Sequence, residues 1–345
     1  MSDSPTALDR LVHPAGLPTL GLELPLDNDW GSARIRALRA DPSGGGRPFG
    51  VADLTRHAEL ARLADQSGFA GLWVRDVPLY DPEQFGDAGS VFETFTHLGH
   101  LAAVTEHAVL GTAAVVLPLR QPLLVAKAAA TVDVLSGGRF VLGLASGDRP
   151  VEYPLFGADF PARGATFRTG VETLRAAWAA RDGSEGMSLP GLGLDADRRL
   201  DVLPKPVGRT VPIAIAGHAQ QSAEWIAHNA DASLNYPRPL GALKLRTREW
   251  QDLTAASPKP KPYLTPMQLD LTEDPATPAT AIRLGLRTGA EALVEHLRTM
   301  GELGVAHVSF NLRPGDRPVD EVLHELAETV LPHFPSRTTE ARAAA

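Results

Sequence analysis

The residues with the clearest chemical potential lie in the segment IAGHAQQSAEW, 215–225, between a predicted strand and a predicted helix. A glycine there allows close backbone approach, and the first residues of a helix expose N–H groups that bind phosphate. The side chains of His218 and Ser222 add further donors. The same spacing fits a simple helix cap beside an exposed histidine equally well. The candidate phosphate ligands are Gly217, His218, Ala219, Gln220, Gln221 and Ser222.

A second segment, GTAAVVLP at 111–118, has small residues where a buried strand normally carries large ones. Ala113 and Ala114 would let a flat ligand lie against the backbone. Tight packing of a helix against the strand explains the same small residues. The segment therefore predicts either a ligand-binding wall or a close helix–strand contact.

Charged residues follow two predicted strands. After the strand that ends at Ala145, the loop ASGDRPVEY carries Ser146, Gly147 and the charges of Asp148, Arg149 and Glu152. This loop could contact a substrate or a cofactor, and it could equally be a solvated turn. Asp76 ends another strand and could steer a proton, although a structural ion pair with Arg75 fits as well.

Several classes of chemistry are excluded. The chain contains no cysteine, which removes disulfides, thiolate metal sites, Fe–S clusters and a cysteine nucleophile. It has no H-E-x-x-H, Walker A or G-x-S-x-G motif. The segment GLGLDA, 191–196, matches G-x-G-x-x-A, but Pro190 precedes it and the charged run DADRR follows it. We interpret this match as coincidence and predict no site for a nicotinamide dinucleotide.

Along the sequence, short apolar runs that predict strands alternate with longer stretches whose apolar residues recur at helical spacing. This alternation is typical of a parallel sheet with helices between its strands. Eight strands, each followed by a helix, predict a (β/α)8 barrel. An open doubly wound sheet would require a glycine loop after the first strand, where this chain has DNDW, 27–30. The predicted strands are 20–26, 71–77, 109–117, 140–145, 211–216, 232–236, 263–271 and 306–312.

The first predicted helix contains Leu54 to Ala64 and ends at Gly68. The other predicted helices lie near 91–106, 122–135, 166–181, 219–229, 240–254, 289–303 and 319–332. We expect one barrel domain over 19–333, with flexible segments at 1–18 and 334–345. The region 182–210 has no clear period, and we treat it as an irregular excursion from the barrel.

Composition indicates an acidic globular protein. The 345 residues are 43% hydrophobic and 21% charged, and the formal net charge is −8. No basic excess is available for a nucleic-acid partner. The longest apolar run, Ala108 to Leu119, is well short of the ~20 residues that cross a membrane. The first twenty residues lack the apolar core of a signal peptide, so we expect a cytoplasmic protein.

Three stretches together resemble the bacterial luciferase-like family of flavin-dependent oxidoreductases: GFAGLWVRDVP (68–78), the run from Gly111 to Asp148, and AGHAQQSAEW (216–225). The resemblance implies a (β/α)8 barrel that binds FMN, or in one branch the deazaflavin coenzyme F420, at its C-terminal face. It also implies that the ring lies against a non-prolyl cis peptide, here Ala113–Ala114. The flavin phosphate would then take donors from Gly217 to Ser222.

The chain departs from the light-emitting members of this family at three positions. Val77 stands where they place a histidine base, Ala145 where they carry a reactive cysteine, and Ser146 where they have a phosphate-binding arginine. These departures argue against light emission. If the arginine's charge is needed, Arg149 and His218 are the nearest candidates.

The resemblance favours an FMN-dependent monooxygenase that uses oxygen on a small organic substrate, with reduced flavin supplied by a separate reductase. One alternative is an F420-dependent hydride-transfer enzyme, which needs a basic groove for the acidic tail of F420. Another is a flavin-binding protein without turnover. In the family that the chain resembles, members commonly pair through helices beside the second and third strands, so we expect a homodimer. The apolar residues of 91–106 and 121–135 suit that contact, and packing against the core explains them equally well. The candidates for the basic groove are Arg149, Lys205, Arg209 and Arg238.

Overall fold

In the computed structural model, which describes residues 6–41, 47–81, 83, 92–179, 186–189 and 200–336, eight parallel strands close into a barrel. In chain order the strands are β1 (Thr19–Leu24), β2 (Gly71–Val74), β3 (Val109–Thr112), β4 (Val115–Val116), β5 (Phe140–Ala145), β6 (Ile213–Ala216), β7 (Ala232–Leu234), β8 (Tyr263–Leu271), β9 (Thr280–Ile282), β10 (Gly285–Thr288) and β11 (Val305–Asn311). Around the barrel the strand order is β11-β1-β2-β3-β5-β6-β7-β8, and β8 pairs with β11 to complete the circle. This confirms the predicted (β/α)8 barrel.

Helices follow the barrel strands and bury their apolar faces against them. In α3, Leu60, Ala61 and Ala64 are buried, and Gly68 ends the helix with a left-handed φ of 99°. The α-helices are α1 (Ala7–Arg10), α2 (Ser32–Ala40), α3 (His57–Ser67), α4 (Thr94–Val104), α5 (Pro122–Leu135), α6 (Glu152–Leu155), α7 (Arg163–Trp178), α8 (Ala223–Asn229), α9 (Leu240–Thr254), α10 (Ala290–Glu302) and α11 (Val319–Glu325). None of the helices among these residues is long and apolar enough to cross a bilayer.

Near the C-terminal end of the barrel, two elements of the structure differ from the sequence prediction. The predicted strand 109–117 is divided into β3 and β4 by the Ala113–Ala114 peptide, which is cis, as the family resemblance implies. The helix predicted to begin at 219 begins at Ala223. Gly217, Ala219 and Gln220 have positive φ angles, so this segment turns before the helix can start.

Further differences lie away from the strand ends. The hairpin of β9 and β10, which extends from the end of β8, was not predicted, nor was α2. The predicted helix 319–332 is α-helical only to Glu325 and continues as a π-helical turn and a 3-10 turn.

The interior of the barrel is filled near its N-terminal end by Trp73 and His307. The Trp73 indole N–H donates to His307 Nε2 at 2.9 Å, and Thr19 Oγ1 lies 2.8 Å from His307 Nδ1. Burial lowers the pKa of His307 to about 3, so the ring is neutral and accepts from the indole. Since Gly111 faces Trp73 without a side chain, the indole has room inside the barrel.

The segment 1–18, which the sequence predicts to be flexible, contributes to this end of the barrel. Residues 7–10 form α1, Leu8 is buried and Leu11 is completely buried. The Thr19 hydroxyl donates to the Leu11 carbonyl at 2.8 Å. These apolar side chains belong to the interior cluster that contains Trp73, which is why they pack instead of remaining in solvent.

Parts of the remaining predictions lie outside the described residues. These parts are 1–5 of the N-terminal segment, 337–345 of the tail, and 182–185 and 190–199 of the excursion 182–210, which include the segment GLGLDA at 191–196. In the described part of the excursion, the Lys127 ammonium donates to the Leu203 carbonyl and the Val207 N–H donates to Asp133. Phe334, at the start of the predicted tail, is buried. The domain boundaries at 18 and 333 remain a prediction.

Candidate active site

A cavity of about 420 Å³ opens at the C-terminal end of the barrel strands. This is the position at which barrel enzymes bind their ligands, and the volume is within the range of small-molecule pockets. Eight of the ten predicted cofactor ligands line it: Ala113, Ala114, Ser146, Gly147, Gly217, His218, Ala219 and Gln220.

One wall of the cavity is made of short apolar side chains. Ala113, Ala114, Ala145 and Ala216 contribute to it from the ends of neighbouring strands. Gly143 supports this wall, because a Cβ there would clash with the carbonyl of Thr112. Alanines leave the backbone accessible, so a flat ring can lie directly against the strand ends.

The polar part of the cavity lining is the turn between β6 and α8, which directly follows Ala216. Gly217, Ala219 and Gln220 have φ angles of 59°, 42° and 60°. The turn is held by the Gly217 N–H, which donates to the Leu234 carbonyl at 2.9 Å, and by the Gln221 N–H, which donates to the His218 carbonyl at 2.6 Å. Successive left-handed residues direct N–H groups into a concave surface that suits an anion.

Two of the predicted phosphate ligands are engaged elsewhere. The Gln221 amide donates to the Gly164 carbonyl at 2.7 Å and accepts from the Arg168 guanidinium at 2.9 Å. The Ser222 hydroxyl caps α8 by accepting from the Trp225 N–H at 3.2 Å. The exposed carboxyl of Glu224 accepts hydrogen bonds from the Glu224 N–H and from Ser222, and these bonds lower its pKa. An acid therefore already occupies the start of α8.

Asp76 lies in the cavity wall with its carboxylate fully engaged. It accepts from the Arg120 guanidinium at 2.6 and 2.9 Å and from the Val116 N–H and the Thr94 hydroxyl at 3.0 Å each. The predicted pair with Arg75 does not form. The Arg75 guanidinium lies instead 3.6 Å from the Glu23 carboxylate inside the barrel.

Only part of the predicted basic groove converges on the cavity. Arg149 and Arg238 line it. Lys205 binds the Asp201 carboxylate at 2.6 Å and the Ala177 carbonyl at 2.8 Å, away from the cavity. Arg209, like Lys205, precedes β6 in the chain and so lies toward the N-terminal end of that strand.

The cavity wall also contains an acid that the predicted ligand set omits. Glu152, the first residue of α6, lines the cavity and is only 3% exposed. Its carboxylate lies 3.7 Å from the Arg149 guanidinium, and burial raises its pKa. The neighbouring Tyr153 hydroxyl donates to the Ser146 carbonyl and fixes this loop below the cavity. The signal in the sequence was a charged loop directly after a strand.

A side chamber of about 360 Å³ adjoins the cavity. The two spaces share the turn residues Gly217 and His218 and, from the loop after β7, Asn235 and Arg238. The rest of the side chamber is lined by a mixture of apolar, polar and charged side chains, among them Trp250, Tyr263 and the ion pair of Arg246 with Glu249 at 2.8 Å. Within the described ranges of the chain, no group of acidic and histidine side chains is arranged to hold a metal ion.

The structure thus has a closed barrel with a cavity at its strand ends, lined by short apolar side chains and by a polar turn. Residues 35–272 match the model of the luciferase-like monooxygenase family, and the chain belongs to this family. Its members include oxidoreductases that bind flavin or coenzyme F420.

The chain is similar to curated relatives named as a monooxygenase and as a coenzyme F420-dependent oxidoreductase. The 4-hydroxyprotoasukamycin monooxygenase of Streptomyces nodosus subsp. asukaensis is 29% identical over 203 residues, which cover 57% of this chain and 52% of that protein. A Mycobacterium tuberculosis protein whose name assigns it provisionally to the coenzyme F420-dependent oxidoreductases is 27% identical over 224 residues, 61% of this chain and 59% of that protein. The chain thus spans little more than half the length of these relatives.

Solved structures share the fold at low sequence identity. The monooxygenase RslO1 from Streptomyces bottropensis has a TM-score of 0.70 at 20% identity, with coverage of 92% of this chain and 99% of that one. The coenzyme F420-dependent tetrahydromethanopterin reductase from Methanopyrus kandleri has a TM-score of 0.66 at 14% identity, with the same coverage. The fold is therefore common to monooxygenases and to F420-dependent enzymes.

Proposed function

We propose that this oxidoreductase holds reduced FMN in the 420 Å³ cavity and uses it with oxygen to oxygenate a small organic substrate. The observation that carries the proposal is that an alanine wall and a polar turn with left-handed residues line the same cavity. The reduced cofactor would come from a separate reductase, because the sequence contains no credible dinucleotide motif.

The residues that line the cavity fit an anionic flavin, but they offer the phosphate fewer hydrogen-bond donors than the sequence predicts. Ala113, Ala114 and Ala145 would contact the ring. The backbone of His218 to Gln220 would face the phosphate, and Arg149 and Arg238 would supply positive charge. Gln221 and Ser222 are already used in the turn and the helix cap, so they support these donors instead of binding the phosphate themselves.

Bound FMN would supply two-electron redox chemistry and, once reduced, reactivity toward oxygen. The protein's own residues orient the ring and keep water away from it. The alanines of the wall have no polar side chain that would hold water beside the ring. Asp76 acts as a positioning residue, because its bond to the Val116 N–H fixes β4 directly after the wall.

A binding titration with FMN and, separately, with F420 tests this proposal, with each cofactor oxidised and reduced. We expect reduced FMN to bind and to consume oxygen in the presence of the protein. Ala145→Leu, which fills the cavity wall, should weaken FMN binding at least tenfold. Ala255→Leu on the exposed surface is the matched control. Absence of FMN binding would overturn the proposal, and binding without oxygen consumption would favour a flavin-binding protein without turnover.

The side chamber favours a second candidate, an F420-dependent hydride-transfer enzyme. F420 carries a long acidic tail, and Arg238 lies at the junction of the two spaces with no ion-pair partner among the described residues. In this alternative the ring occupies the cavity and the tail extends past Arg238. Arg238→Ala should then weaken F420 binding at least fivefold more than FMN binding. Lys244→Ala, an exposed change on α9, should affect neither.

A further inference from the structure

The Glu152 carboxylate is placed in the cavity wall without a hydrogen bond to hold it. The whole residue is 3% exposed and the side chain 4%. Arg149 Nη1 lies 3.7 Å away, which is an ion-pair contact beyond hydrogen-bond length. No donor among the described residues forms a hydrogen bond with this carboxylate. A buried carboxyl in this situation leaves its acceptor positions to whatever enters the cavity.

Asp76 makes the contrast clear. It is buried in the same wall, yet four hydrogen bonds from Thr94, Val116 and Arg120 occupy its two oxygens. A ligand that approaches Asp76 meets a saturated carboxylate, whereas a ligand that approaches Glu152 meets an unsaturated one. The two acids therefore have different roles despite their similar burial.

The charges around Glu152 favour its protonated form. Burial raises the pKa of its carboxyl most, and the facing Arg149 guanidinium lowers it. Three further carboxylates raise it again: Asp76, Asp148 and Asp81. Tyr153, the next residue, keeps its proton, because burial raises its pKa to about 12. Glu152 is thus a buried carboxyl of this wall whose pKa is raised above the ordinary glutamate value.

We propose that Glu152 is the proton-exchanging group of the cavity. This inference rests on the proposed function, because the partner in the exchange is the redox ligand or its substrate. Protonated Glu152 donates a hydrogen bond to a ligand oxygen. As negative charge develops on that oxygen, the carboxyl O–H bond breaks and a new O–H bond forms on the ligand. The resulting carboxylate faces Arg149 and regains its proton from solvent.

Both candidate reactions require such a proton. A bound deazaflavin would supply a hydride, and a carbonyl substrate that accepts it would need one proton on its oxygen. A bound flavin would supply reactivity toward oxygen, and the oxygen atom that does not enter the substrate would need protons to leave as water. General acids of this kind contribute about 10²–10⁴-fold to a rate.

The first test needs no ligand. Protein labelled with 13C at the glutamate carboxyl carbons is titrated by NMR, and Glu152→Gln identifies the signal of Glu152. We expect a midpoint above the ordinary glutamate value of about 4.3. Glu172→Gln, an exposed substitution on α7, should remove a different signal and serves as the control. A midpoint at or below the ordinary value would overturn the inference.

The second test measures protons taken up or released when FMN, and separately F420, binds. Calorimetric titrations in two buffers of different ionisation enthalpy give this number. We expect a pH-dependent proton count in the wild-type protein, a smaller count in Glu152→Gln that the ligand phosphate alone accounts for, and the wild-type count in Glu172→Gln. Equal counts in all three proteins would overturn the inference. Failure of both cofactors to bind would instead overturn the proposed function, and the NMR titration would still decide the ionisation of Glu152.

Turnover provides the third readout. Glu152→Gln should lower kcat at least tenfold with KM changed less than threefold, and it should flatten the pH profile. Glu152→Asp keeps a carboxyl group and should recover part of kcat with a shifted profile, which also covers the case in which the amide variant folds poorly. A glutamine variant with an unchanged pH profile would show that Glu152 has only a structural role.

Discussion

At the scale of single residues, the buried histidines His57 and His97 make stability depend on pH. Their Nε2 atoms are 2.6 Å apart, so one ring donates and the other accepts. Burial lowers the pKa of His57 to about 4 and that of His97 to about 3. The unfolded chain binds these protons near the ordinary value of about 6.5, so the stabilisation is present above that pH and is lost as the pH falls below it.

We therefore expect the free energy of unfolding to fall by on the order of 2–4 kcal/mol between about pH 7 and pH 5 through this pair. Urea denaturation at several pH values measures the slope. The double variant His57→Phe with His97→Leu removes both partners and should make the slope of the free energy of unfolding against pH shallower. His307, whose pKa is also lowered by burial, still contributes to that slope. His324→Ala changes an exposed histidine and should keep the full slope. Identical slopes in all three proteins would contradict the prediction.

Asp76 is a second residue whose role is decided by its partners. We expect Asp76→Ala to lower the free energy of unfolding by about 2–3 kcal/mol, because it leaves the Val116 N–H without its acceptor and removes the buried carboxylate partner of Arg120, which keeps its contact with Glu93. Chemical denaturation measures the loss. Glu93→Gln removes a more exposed partner of the same Arg120 and should cost less than about 1 kcal/mol. If Asp76→Ala keeps full stability and loses turnover, Asp76 carries the proton instead.

At the scale of elements, the segment before α8 has two roles, lining the cavity and capping the helix. The sequence prediction assigned all of its residues to phosphate binding. His218 lines the cavity, whereas Ser222 caps the helix through the Trp225 N–H. His218→Ala should therefore weaken FMN binding by about 1–2 kcal/mol with little change in Tm. Ser222→Ala should lower the free energy of unfolding by about 1 kcal/mol and leave FMN affinity within a factor of about two. Titration and thermal unfolding of both variants check this, and the reverse pattern would restore Ser222 as a phosphate ligand.

Periodicity predicts the barrel elements well because each has one apolar face against the core. The strand Tyr263–Leu271 is predicted to the residue, and α5 begins at Pro122 and ends at Leu135 as predicted. Where the backbone departs from regular geometry, the pattern contains no signal. Two alanines in a buried strand look continuous, so the break at Ala113–Ala114 could come only from the family resemblance.

The candidate site was predictable in location but not in the role of each side chain. Strand ends of a parallel barrel meet at one face, and this rule alone selects the segments that line the cavity. Which acid is free depends on donors that arrive from distant elements. Thr94 and Arg120 saturate Asp76 from other parts of the chain, while Glu152 receives no such donor among the described residues. No pattern within one segment contains that information.

At the scale of the whole molecule, α5 presents apolar side chains that its neighbours do not cover. Leu124 is 66% exposed and Leu135 is 61% exposed, at opposite ends of the helix. The family resemblance implies a dimer through this helix and α4. Each leucine that a partner buries contributes about 1.5–3 kcal/mol, so two copies that use this face would recover a substantial free energy.

We expect the purified chain to sediment as a dimer, and Leu124→Glu to shift it to monomer, because a charge buried in such an interface has no partner. Leu245→Glu makes the same change at a residue that is 71% exposed on α9, away from this face, and should leave the dimer intact. Sedimentation velocity over a range of concentrations distinguishes the two variants. Since cavity and helix face are separate, the monomeric variant should still bind FMN. A wild-type monomer at every concentration would contradict the prediction and leave α5 with an exposed apolar face for some other partner.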